Sequence, residues 1–371
     1  MINRLLKSVI VSKLNQGKAI VLVGPRQVGK TTLLQNILKD KTYLFLDGDD
    51  PVVRTLLTNP NTQQLQSIIG NYKYVFIDEA QRIDNIGITL KLITDQFKTV
   101  QLVVSGSSAF ELNNQTSEPL TGRKWEYQLY PISWEELEND LGYVKSEQQL
   151  ELRVLYGFYP DIVNNVGSEI ELLKQLVNSY LYKDILAYSG IRKPEVIEKL
   201  LKALALQIGN EVSYNELSQL IGIDKNTVSN YIDLLQQSYV IYKLPSFSRN
   251  LRNEIKTNQK IYFYDNGVRN LIIGNFNNLD TRNDKGALWE NFLITERLKK
   301  NAYNLSFAKS YFWRTKQQQE IDYIEETSEN LTGYEFKWNP KTKLKIPKTF
   351  TESYNADVKI IHRENFREFI N

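Results

Sequence analysis

The segment Gly24-Pro25-Arg26-Gln27-Val28-Gly29-Lys30-Thr31-Thr32 constrains this chain more than any other, because it satisfies the spacing G-x-x-x-x-G-K-[ST] in full. Its flanks supply the context that this spacing needs. Ala19 to Val23 is a continuous apolar run that predicts a buried parallel strand, and Thr32 to Leu38 opens an apolar-periodic helix. Between strand and helix, two glycines let backbone N–H groups turn toward phosphate oxygens at the positive end of the new helix. Lys30 is placed to reach the β- and γ-phosphates, and the Thr31 hydroxyl to take one position on Mg²⁺. A nucleoside triphosphate is the expected ligand.

A second apolar run, Tyr74-Val75-Phe76-Ile77, ends in Asp78 and Glu79. An aspartate at a strand tip can hold Mg²⁺ through water, and the adjacent glutamate can polarise an attacking water as general base. A third run, Val100 to Val104, ends in Ser105-Gly106-Ser107. Its hydroxyls, Ser105 first, suit sensing of a γ-phosphate or orienting of that water; a small-residue turn from strand to helix explains them equally. Leu120-Thr121-Gly122-Arg123 is a turn carrying an arginine. In ring ATPases an arginine so placed reaches a neighbour's γ-phosphate, and the alternative is an ordinary surface arginine.

These residues extend into a longer set of matches. Arg4, GPRQVGKTTLL at 24–34, FIDEAQ at 76–81, VVSGSS at 103–108, LTGR at 120–123 and LYPISWEEL at 129–137 cover the first part. GFYPDIV at 157–163 and YFYDNGV at 262–268 continue it. Nearly the whole chain thereby resembles the prokaryotic AAA-plus ATPases that carry a carboxy-terminal domain of unknown function. The phosphate-site segments are shared by many ATPases, whereas the later ones are specific to that family. The resemblance implies hydrolysis of ATP with Mg²⁺ as cofactor.

Composition agrees without choosing this reading. A length of 371 residues calls for two or three domains. Hydrophobic content of 42% with 24% charged residues describes a folded chain rather than a disordered one. No apolar stretch has the length of a membrane span, and Met1-Ile2-Asn3-Arg4 leads into a helix rather than a signal segment, so a cytoplasmic protein is expected. The absence of cysteine removes disulfides, zinc–thiolate sites and thiol nucleophiles. A single histidine, His362, removes histidine-rich metal sites and a serine–histidine triad. The net charge of +3 is too small to specify an anionic partner.

The expected organisation is an α/β P-loop AAA-plus core with a parallel sheet over residues 1–132 and a helical lid over 133–190. A winged helix-turn-helix over 191–260 and a restriction-endonuclease-like α/β domain over 261–371 follow. Strands are expected at Thr42–Leu46 and Trp125–Leu129 within the first part. In the third, Asn215 to Ile223 reads as a short helix stopped by glycine, and Asp224 caps a second helix, Lys225 to Gln237. Lys225, Asn226, Thr227, Ser229 and Asn230 would face a DNA major groove. Arg249, Arg252, Lys256 and Lys260 form a basic segment suited to phosphates. The alternative is a purely structural connector.

In the last part, Glu290 lies on an amphipathic helix, Asp322 on a strand after Glu320, and Glu335 and Lys337 share one face of the next strand. This set resembles the PD-(D/E)XK nuclease core, which implies that Glu290, Asp322 and Glu335 hold a divalent cation with Lys337 near an attacking water or the scissile phosphate. Such folds also serve only to bind. Lys341, Lys343, Lys345 and Lys348 follow, as a polyanion site or a solvated face. Three functions fit these residues: an ATP-driven, nucleic-acid-directed switch or motor that acts on DNA and assembles as a homo-oligomer; a signalling ATPase whose tail docks a protein; or an ATP-gated nuclease.

Overall fold

Apolar runs without polar alternation make strands buried on both faces, and the first part of the chain is built on them. The computed structural model describes residues 2–107, 119–178, 194–248, 259–328, 330–342 and 345–371. The chain divides into two compact units: Met1–Ile132 with Gln237–Tyr239, and Ser133–Gln236 with Val240–Asn371.

The first unit holds strands β1 Ala19–Val23, β2 Tyr43–Asp47, β3 Tyr74–Asp78, β4 Gln101–Gly106 and β5 Lys124–Gln128. They form one sheet in the order β2-β3-β4-β1-β5, with every neighbouring pair parallel. Its described helices are α1 Leu6–Lys13, α2 Lys30–Leu38, α3 Pro51–Leu57, α4 Thr62–Ile69 and α5 Ile86–Gln96. Alternate strand residues Ala19, Val21, Val23, Val75, Ile77, Leu102 and Val104 pack on Leu57, Leu65, Ile69, Leu90 and Ile93 from α3 to α5. The strand expected at Thr42–Leu46 is β2, and it takes the sheet edge. β4 inserts between β1 and β3, so the carboxy-terminal ends of these three central strands lie side by side. That end of a parallel sheet is where ligands collect.

The second unit begins with α6 Trp134–Leu141, α7 Tyr143–Tyr156, α8 Pro160–Asn164 and α9 Glu169–Leu176. It continues with α10 Pro194–Leu206, β6 Glu211–Val212, α11 Tyr214–Ile221, α12 Lys225–Gln237, β7 Ile241–Pro245 and β8 Gln259–Phe263. Then come α13 Asn266–Ile273, α14 Lys285–Tyr303, β9 Lys309–Arg314, β10 Glu320–Glu326, β11 Leu331–Phe336, α15 Lys348–Tyr354, β12 Asp357–Ile361 and α16 Phe366–Ile370. One antiparallel sheet has the order β6-β8-β7. The other has the order β12-β11-β10-β9, antiparallel except for the parallel pair β11–β12. The helices expected as a lid belong to this unit as far as they are described, and residues 179–190 lie outside the described residues. The boundaries expected at 190 and 260 fall inside the unit and separate no compact bodies.

Two of the specific sequence segments meet here. Gly157 ends α7 with φ 79°, and a Cβ on it would lie 1.9 Å from Asp265 Oδ1. Asp265 Oδ1 accepts from Gly267 N (2.8 Å) and Val268 N (3.2 Å), capping α13, while Oδ2 accepts from Phe158 N (2.7 Å). Gly267 stands against the Tyr156 carbonyl, 2.1 Å from where its own Cβ would be. Asn266 and Asn270 donate to the carbonyls of Val154 and Leu155 at the end of α7. GFYPDIV and YFYDNGV are thus the two halves of one joint.

Because three buried N–H groups depend on one carboxylate, Asp265→Ala is expected to cost roughly 3 kcal/mol or more. Gly157→Ala, which combines positive φ with that clash, should cost a similar amount, on the order of 3 kcal/mol. Urea unfolding of both variants checks this; a loss below about 1 kcal/mol in each would refute the joint.

Candidate functional site

The phosphate loop is shaped by what its glycines leave out. Gly24 has φ 148°, and a Cβ there would sit 2.1 Å from the Leu129 carbonyl oxygen. Leu129 N donates to Val23 O at 2.8 Å, so β5 is drawn tight against the start of the loop. Gly29 has φ 91° and is the last residue before α2. From outside the loop, Arg4 Nη1 donates to Val28 O (2.7 Å) and Nη2 to Tyr130 O (2.5 Å). Arg4 entered the sequence reading only as a point of resemblance; here it ties the loop to the segment after β5.

Lys30 is 5% exposed, and its Nζ donates to the carbonyls of Gly24 (2.9 Å) and Pro25 (2.7 Å). The ammonium is therefore held on the loop that is shaped for phosphates. Thr31 Oγ1 donates to Asp78 Oδ2 at 2.8 Å, and Ser105 Oγ donates to Asp78 Oδ1. A hydroxyl and a carboxylate in contact make an all-oxygen donor set that suits Mg²⁺. These residues fit the metal and the triphosphate.

Glu79 has φ 46°, a left-handed conformation that is uncommon for a residue with a side chain. Beneath it Gly48 lies so close that a Cβ would meet the Glu79 carbonyl oxygen at 2.5 Å. The Glu79 carboxylate accepts from Gln81 Nε2 (2.6 Å) and Ser107 Oγ (3.3 Å), and Gln81 Nε2 also donates to Ser107 Oγ at 2.8 Å. Of the two hydroxyls expected near the phosphate, Ser105 is turned to Asp78 and Ser107 to Glu79. Gln81 was missed as a site residue; its position two after Glu79 was the available signal.

Arg123 stands at the other end of the sheet. Its carbonyl accepts from Ala19 N (2.9 Å), at the start of β1, whereas the phosphate loop follows the end of that strand. Five strand residues separate the two, about 17 Å. Arg123 is thus not part of its own chain's site, and Nε donates to Asp95 Oδ1 at 2.7 Å.

In the second unit, Glu290, Asp322, Glu335 and Lys337 do converge. Asp322 falls in a register shift of the β9–β10 pairing, and its Oδ2 accepts from Phe336 N (2.8 Å). Lys337 Nζ lies 3.7 Å from Asp322 Oδ2 and 3.3 Å from Glu335 Oε2. Glu290 Oε1 accepts from Tyr262 OH (2.5 Å) and Lys260 Nζ (3.2 Å). Among the described residues no group of three or more acidic, histidine or cysteine side chains is arranged to hold a metal ion. The acids are shared between lysine ammoniums.

Lys260 is corrected. Expected on a phosphate-holding surface, it is 1% exposed and paired with Glu290 and Glu320. Arg249, Arg252 and Lys256 lie outside the described residues, as does Lys343. On α12, Lys225, Asn226 and Asn230 are exposed, and Thr227 and Ser229 half-buried. Asp224 Oδ1 accepts from Thr227 N at 2.9 Å, capping that helix.

Burial, reinforced by the Asp322 charge, pushes Glu335 up to about 8. Glu290 is raised to about 7 by burial, against the pull of Lys260. The folded chain then holds protons that the unfolded chain has released, so stability declines as pH rises from about 5 to about 8 and levels off above. Urea unfolding of the second unit against pH should show that decline, with Glu335→Gln flattening its upper part. A rise over the same range would contradict the assignment.

Three family matches follow one another along the chain. Residues 16–138 match the AAA domain, 147–279 a domain of unknown function (DUF8612), and 285–368 another domain of unknown function (DUF4143). An uncharacterized protein of Mycobacterium tuberculosis is 28% identical over 329 residues, 87% of this chain and 71% of its own. An uncharacterized protein of Haemophilus influenzae is 24% identical over 338 residues, covering 84% and 80%. Among solved structures, the Walker-type ATPase of Pyrococcus abyssi is similar in fold, with TM-score 0.51 and 17% identity over 73% of this chain and 96% of that one. The AAA domain match, together with this fold, supports an AAA-plus ATPase module that binds and hydrolyses ATP, followed by a carboxy-terminal domain of unknown function.

Proposed function

We propose that the chain is a Mg²⁺-dependent, cytoplasmic ATPase whose nucleotide cycle drives a nucleic-acid-directed switch. The observation that carries the hydrolytic half is the meeting of Thr31 and Ser105 on Asp78, with Glu79 held next to it by Gln81 and Ser107. Thr31 and Asp78 would hold Mg²⁺, which would supply neutralisation of phosphate charge. The chain's residues supply the rest. Backbone N–H groups from Arg26 to Thr32 hold the phosphates, and Lys30 exchanges the Gly24 and Pro25 carbonyls for phosphate oxygens. Thr31 and Asp78 hold the metal side, Ser105 keeps Asp78 oriented, and Glu79 takes the proton of the attacking water. Arg123 acts on the site of a second copy in a homo-oligomer, exchanging Asp95 for developing γ-phosphate charge.

The element order α10-β6-α11-α12-β7-β8, with sheet order β6-β8-β7, supports a winged helix. The exposed Lys225, Asn226 and Asn230 on α12 support its use on DNA. The order α14-β9-β10-β11-α15-β12 supports a nuclease-like tail, and Lys341, Lys345 and Lys348 beside it are exposed. A second reading, a signalling ATPase whose tail docks a protein, is favoured by the lysine-closed acid cluster and by Phe307, which is 98% exposed.

Lys30→Ala is expected to weaken ATP binding and abolish turnover. Glu79→Gln should still bind ATP but hydrolyse it about 10²–10⁴-fold more slowly. Nucleotide binding and phosphate release on the two variants check the division of roles, and near-normal turnover by Glu79→Gln overturns it.

For the nucleic-acid half, fluorescence anisotropy with duplex DNA at increasing salt should show affinity falling steeply. Lys225→Ala should reduce the slope of log affinity against log salt by about 1. Absence of binding at low salt would leave the protein-docking reading in its place.

A further inference from the structure

Of the two ammoniums that meet the expected metal-site acids, Lys260 is the one that comes from outside the tail. It enters the acid cluster not from the tail but from β8, the central strand of the three-stranded sheet. Its ammonium is 3.2 Å from Glu290 Oε1 and 2.5 Å from Glu320 Oε1, with its Nζ 5.4 Å from the centroid of the Phe312 ring. A lysine that is 1% exposed stays charged only where anions outweigh the desolvation penalty. Here Glu290, Glu320 and Asp322 do so together.

The space around Glu290 is closed from a further side. Tyr262, two residues along β8 on the same face, donates to Glu290 Oε1 at 2.5 Å. Gly209, between α10 and β6, lies over both Glu290 carboxylate oxygens, 3.6 Å from where its Cβ would be. On the opposite side Lys337 bridges Asp322 and Glu335. Two ammoniums therefore sit among the acids that a divalent cation would need.

We infer that Lys260 is a built-in cation: its ammonium takes the place of a divalent metal among Glu290, Glu320 and Asp322, and so turns a metal-type acid cluster into a metal-independent joint between the two sheets of the second unit. This inference stands independently of the ATPase reading. It ties the β6–β8–β7 sheet to the four-stranded sheet by charge, and it makes withdrawal of β8 the event that would expose the acids.

The test is thermal unfolding of the nucleotide-free full chain with and without millimolar Mn²⁺. The wild-type midpoint should not respond. Lys260→Met leaves the acids unbalanced, so its midpoint should drop, and Mn²⁺ should raise it again by roughly several degrees through preferential binding to the folded state. Adding Asp322→Asn should abolish that rescue, and Lys260→Arg, which keeps the charge, should remain insensitive to Mn²⁺. If Lys260→Met does not fold, Lys260→Gln carries the same expectations. A wild-type midpoint that rises with Mn²⁺ and loses the rise in Asp322→Asn would overturn the inference, as would a folded Lys260→Met or Lys260→Gln that Mn²⁺ leaves unchanged.

Discussion

Two hydroxyls from different parts of the first unit, Thr31 at the start of α2 and Ser105 at the end of β4, meet on the carboxylate of Asp78 at the end of β3. This contact requires the sheet order in which β4 lies between β1 and β3, because only then do three strand ends converge on one point. It also requires the phosphate loop to be anchored, which the Leu129 amide and Arg4 accomplish by gripping the backbone carbonyls of Val23 and Val28. A preorganised carboxylate of this kind needs no rearrangement when charge develops nearby, which is the condition under which electrostatic stabilisation is most effective.

The second unit uses carboxylates differently. Asp265 satisfies three backbone amides, two in its own helix start and one, Phe158 N, more than a hundred residues away, and Glu325 is gripped by Arg297 Nε and Nη2 at 2.7 and 2.6 Å. Glu296 accepts from Trp134 N (2.6 Å) and pairs with the buried Lys299. A buried charge is tolerated only with such partners, and removing one partner costs far more than the pair contributes. These contacts define which helices and strands may pack together. The acid cluster around Asp322 follows the same rule, which is why Lys260 and Lys337 occupy it and why the burial that raises Glu290 and Glu335 does not expel them.

Where chemistry depends on neighbours in the chain, the residues could be read directly. The phosphate loop, the paired Asp78 and Glu79, and the two helices around Gly222 are all contained in short windows, so spacing alone specifies their geometry. The loop conformation at Gly24 and the cap by Asp224 arise from local dihedral freedom and local hydrogen bonding. Arg123 shows the limit of that reading. Its place after the fourth strand was legible, but its location at the far end of the sheet from the phosphate loop follows from the parallel pairing of β5 with β1.

The amino-acid order by itself determined the phosphate-loop turn, the paired carboxylates Asp78 and Glu79 and the identities of the residues in each later segment, because these depend on dihedral preference and on the two- and 3.6-residue periodicities. Only the tertiary structure decided that Gly157 and Asp265 form one joint, that Gln81 and Ser107 hold Glu79, and that Lys260 is a buried counter-ion rather than a surface contact. The reason is physical: desolvation and Coulomb energy depend on distance through space, and strand pairing brings to Lys260 partners that lie 30 and 60 positions away in the chain.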